Sequence, residues 1–172
     1  MCTEYVVEML FDILFKINEY KRKTLNNSNK KEKIYKNFVQ KIEKISLNFP
    51  ICVKLISCNN FNLQEKACIS LIFILQFFPN MYIKNVNMNV KFNSSNIQDL
   101  INGLEGGTKR IYKKIINIFK WIIEYQNGAK ILLKNYSSYI QISIEKIISI
   151  SNEPDILEIA NTFLKKYLPK IM

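Results

Sequence analysis

Two stretches of this 172-residue chain gather groups capable of chemistry. In "GLEGGTKR", residues 103–110, glycines precede a helix start and Lys109 and Arg110 follow it, as in a loop that cradles phosphate. The spacing departs from GxxxxGK[ST] and no strand leads into it, so a plain loop and helix cap is expected there. Glu153, Asp155 and Glu158 form the one carboxylate cluster. On the first turn of a helix, such acids complement the helix dipole, and that structural role outweighs acid–base catalysis. The chain has no histidine, which removes the commonest general base and the usual partner of serine and cysteine nucleophiles. Its four cysteines, Cys2, Cys52, Cys58 and Cys68, show no CxxC spacing, so a zinc site has too few ligands and free thiols in a reducing compartment are expected. Cys68 falls in the most apolar segment and should behave as a small core residue. A protein without enzymatic activity, cofactor or metal follows.

The third candidate is a surface rather than a reaction centre. "GGTKRIYKKIINIFKWIIEYQNG", residues 106–128, reads as one helix between glycines. At about 100° per residue, Ile111, Tyr112, Ile115, Ile116, Ile118, Phe119, Ile122, Ile123 and Tyr125 fill one half of its wheel. Lys109, Arg110, Lys113, Lys114, Asn117, Lys120 and Glu124 fill the other, and Trp121 lands between Arg110 and Lys114. Such a wide apolar face suits a helix packed against two neighbours. Arg110, Lys113, Lys114, Asn117 and Trp121 are the candidate residues for docking a protein partner, since Trp and Arg are enriched at interface hot spots.

Nucleic acid is the less favoured alternative, with the lysines and Arg110 on phosphates and Trp121 or Tyr112 stacking on a base. The chain carries a net charge of +11, but isoleucine (29), lysine (23) and asparagine (21) make up about two-fifths of it. That bias is expected of a coding sequence rich in A and T, and only Arg22 and Arg110 are arginines, the residue favoured for phosphate and base recognition. A second basic run spans Tyr20 to Lys36. Insertion of the 106–128 helix into a membrane would require its apolar face to leave the core. The longest apolar run, Ala67 to Leu75, is about half of a membrane span, and the acids Glu4, Glu8 and Asp12 do not suit a leader peptide. An intracellular protein, cytoplasmic or nuclear, is expected.

These surfaces must be carried by helices. Apolar spacing places one from about Thr3 to Lys23 and another from about Lys31 to Asn48, with a basic loop at about 23–30 and a stop at Pro50. A short helical turn covers "ICVKLIS". Asn62 and Glu65 then suggest a capping box for a helix ending before Pro79. "VNMNVKF" alternates but has no strand to pair with, so an extended loop is expected over about 80–95. Ser95 and Gln98 suggest a cap for a helix to Leu104; Thr108 caps the basic helix and Asn127–Gly128 end it. Three more helices follow, from Ala129, over Ser138–Ile150, and from Pro154 to before Pro169. A chain of this length buries roughly 70% of its unfolded surface as one domain, and residues 1–172 are expected to form one.

Ala67-x3-Leu71-x3-Leu75 recurs as Ala160-x3-Leu164-x3-Leu168, with Ile115-x3-Phe119-x3-Ile123 between them, at intervals of 48 and 45 residues. Through "NLQEKACISLIFIL" and "NGAKILLKNY…EPDILEIANTFLKKYL", residues 51–168 resemble armadillo and HEAT repeats. The resemblance implies an all-α, right-handed stack of about eight short helices that serves as a scaffold for another protein, in place of a compact helical bundle.

Overall fold

The computed structural model describes residues 12, 16, 49–77, 93–125 and 127–172. The described residues are mostly helical and include no strand. Among residues 49–172, the described ones include seven α-helices in order: α1 (Phe49–Ile56), α2 (Phe61–Phe77), α3 (Ser94–Gly106), α4 (Lys109–Tyr125), α5 (Asn127–Lys134), α6 (Ser137–Ile150) and α7 (Pro154–Thr162). A π turn (Phe163–Tyr167) and a 3-10 turn (Leu168–Lys170) continue α7. The helices expected over Thr3–Lys23 and Lys31–Asn48, the basic loop and run between them, Cys2, and most of the 80–95 loop lie outside the described residues.

Several helix ends differ from expectation, in each case because asparagine, glycine or proline serves at either end of a helix. Pro50 lies in the first turn of α1, where its missing N–H is no loss, and so opens that helix. The cap of α2 is Asn60, whose Oδ1 accepts from the backbone N–H of Asn62 (3.1 Å) and Leu63 (3.2 Å), not the expected Asn62–Glu65 pair. For α3, Asn93 and Asn96 replace Ser95 and Gln98: each carboxamide oxygen accepts from the other residue's backbone N–H, at 2.9 and 3.1 Å. Thr108 lies ahead of α4 as expected, its carbonyl accepting from Ile111 and Tyr112. Asn127 and Gly128, read as the end of α4, belong to the first turn of α5. Pro154 holds the first turn of α7.

The helices pack as two rows. One row is α1, α3, α6 and the other α2, α4, α7, each helix lying against the next in its row. Cross-pairs α1–α2, α3–α4 and α6–α7 join the rows, and α5 rests on α3 and α4. Among the described residues, the first and third pairs meet substantially only through the middle one. All three copies of the repeated motif fall in the second row, and Ala67, Ile115 and Ala160 are each fully buried. The Leu71 and Phe119 positions are also fully buried, whereas Leu164 is only partly so. There the backbone widens: Leu168 N–H donates to the Phe163 carbonyl five residues back. Phe163 and Tyr167 take the inward positions instead.

Gly103 lets the rows close. A Cβ there would lie 2.6 Å from Ile56 Cγ2 and 2.8 Å from Ile115 Cδ1, so only a hydrogen allows α1 and α4 to meet α3 at this depth. Cys52 and Cys68 are buried beside this core and, with the half-buried Cys58, are free thiols. Burial pushes the Cys52 thiol up to about 12, and desolvation raises that of Cys68 as well. Thiol labelling at neutral pH, read by mass after digestion, should therefore leave Cys52 and Cys68 unmodified until denaturant is added. Rapid native modification of Cys68 would contradict its burial.

Candidate interaction surface

The amphipathic reading of α4 holds in the structure: Ile111, Tyr112, Ile115, Ile116, Ile118, Phe119, Ile122 and Ile123 are all buried. Tyr112 therefore offers no face for a base to stack on. The opposite face is basic, and acids of the adjoining helices answer it. Lys109 Nζ lies 3.1 Å from Glu153, Lys113 pairs with Asp155, and Lys114 Nζ lies 2.9 Å from Glu65. Glu65 belongs to α2, Asp155 to the first turn of α7, and Glu153 precedes that turn. Exposed pairs of this kind contribute about 0–1 kcal/mol each. Their larger consequence is electrostatic, because three of the lysines that make α4 look basic are neutralised across the row.

The five candidate partner-binding residues do not form one patch. Arg110 is exposed, and with Lys113 it lines an open cleft of 690 Å³ where α2, α4 and α7 begin, together with Phe61, Asn62 and Thr108. Lys114 is engaged with α2. Asn117 lines a separate, smaller pocket against α7. Trp121 is half-buried and packs on the hydrophobic core. Trp121→Ala should accordingly cost about 1–2 kcal/mol in urea unfolding, between the ~0.5 kcal/mol of a surface change and the ~3–5 of a fully buried tryptophan. An unchanged midpoint would return Trp121 to the surface.

A second basic cluster was not among those candidates. Tyr167, nearly buried in the π turn, has Lys120, Lys166 and Lys170 Nζ at 5.3, 5.7 and 5.1 Å from its ring centroid. Its other ring contact is Phe163, stacked at 6.0 Å. Among the described residues no carboxylate forms an ion pair with these three lysines. Beside them lies a pocket of 170 Å³ between α4 and α7, walled by Ile116, Ile159, Phe163 and Tyr167 and rimmed by Asn117, Lys120, Glu158 and Thr162. "FLKKYLPK" announced the charge in the sequence, but Lys120 lies more than forty residues away and only the packing of α7 on α4 brings them together.

No family model, curated protein or solved structure matches the chain. Among the described residues, no His, Cys, Asp or Glu group is arranged to hold a metal, and no helix is long and apolar enough to cross a membrane.

Proposed function

We propose that the chain is a non-catalytic interaction scaffold, an armadillo- or HEAT-like right-handed helical stack that presents its second row, α2, α4 and α7, to another protein. The observation that carries this reading is neighbour-only packing in two rows, with the three motif-bearing helices side by side in one of them. Repeated helices laid edge to edge make an extended surface of the kind protein partners use. Free thiols at Cys52, Cys58 and Cys68 fit a reducing compartment, cytoplasmic or nuclear.

Polyanion binding is the second reading, favoured by the lysines around Tyr167, which form no ion pair among the described residues. Salt separates the two. Native co-purification of the full chain, with the retained partner identified by mass, should give a protein that survives a rise from 50 to about 200 mM salt. Retention of nucleic acid alone, lost about 10³-fold or more over that range, would replace the scaffold reading with the second one.

A further inference from the structure

We infer that the Lys120–Lys166–Lys170 cluster and the pocket beside it form a docking site for an acidic segment of a protein partner, with one apolar side chain of that segment seated in the pocket. The inference rests on the scaffold reading and names the chemistry of its partner. Charge complementarity selects an anionic occupant: three lysines converge on one ring, while those at the other end of α4 already have their acids. Pocket size selects the rest. At 170 Å³ the cavity is smaller than the roughly 300–1,000 Å³ of small-molecule sites, and its aliphatic and aromatic walls suit a single leucine-sized side chain. Single-stranded nucleic acid fits less well, since it needs an open aromatic face, whereas Tyr167 is covered by Phe163 and the lysines.

Fluorescence anisotropy with the full chain and two labelled peptides, Glu-Glu-Leu-Glu-Glu and Glu-Glu-Ala-Glu-Glu, tests this, with a ten-residue oligothymidine as the competing polyanion. The leucine peptide should bind in low salt and the alanine peptide roughly fiftyfold more weakly, as expected for three carbons left out of an apolar pocket. The variant K120Q/K166Q/K170Q should weaken the leucine peptide by about tenfold or more. Its thermal midpoint is read alongside. If the variant is unstable, the leucine-to-alanine ratio on the wild-type chain decides. Equal binding of the two peptides, no binding of either, undiminished binding to a folded variant, or tighter binding of the oligothymidine would each overturn the inference. If the peptides fail while a partner still co-purifies through 200 mM salt, only this site is wrong; if no protein partner co-purifies, the scaffold reading fails with it.

Discussion

Phe119→Ala is expected to lower the free energy of unfolding by about 3–5 kcal/mol. The side chain is fully buried in the middle of α4, the helix that packs against α2, α3, α5 and α7. Its ring meets Phe163 at 6.4 Å in a tilted arrangement, so truncation removes both apolar area and an aromatic pair that joins α4 to the π turn. The surrounding residues come from several helices and cannot all move inward to close the cavity. Urea denaturation measures the loss. Phe119→Leu, which keeps most of the volume, should cost appreciably less. A Phe119→Ala midpoint equal to wild type would mean that α4 is not the centre of the packing.

Ala160→Leu should destabilise by about 1–3 kcal/mol, by overpacking. Ala160 is fully buried in α7, in the row where α7 lies against α4. The isobutyl side chain that replaces its methyl group must displace the α7 backbone or strain its neighbours. The matching control is Asn161→Leu, one residue on and exposed, which should shift stability by no more than about 0.5 kcal/mol. Equal effects at the two positions would show that the small residue of the motif has no packing role.

The contrast between what the sequence revealed and what it hid follows the range of each interaction. The buried face of α4 was legible because a 3.6-residue period sustained over seventeen residues depends on local geometry alone. The start of α7 at Pro154 was legible for the same reason. Caps were harder: in a chain with 21 asparagines, Asn60 and Asn93 compete with serine and threonine for the same role, and a side chain's choice is decided within one turn. The charge pattern was least legible. Lys109, Lys113 and Lys114 read as a free basic stripe, yet their carboxylates come from positions 42 to 49 residues distant, visible only once α2 and α7 flank α4. The π turn likewise left no local mark, and it moved Tyr167 inward beneath its lysines.

The two-row packing also has a mechanical meaning. Among the described residues the α1–α2 and α6–α7 pairs are joined substantially only through α3 and α4, so the stack behaves as two joints in series. A small bend at each joint adds to the next, and among the described residues no long brace across the ends resists it. A partner lying along α2, α4 and α7 therefore meets a surface whose curvature it can adjust cheaply at two hinges, while Gly103, at the closest approach of α1, α3 and α4, keeps the first joint tight at its base.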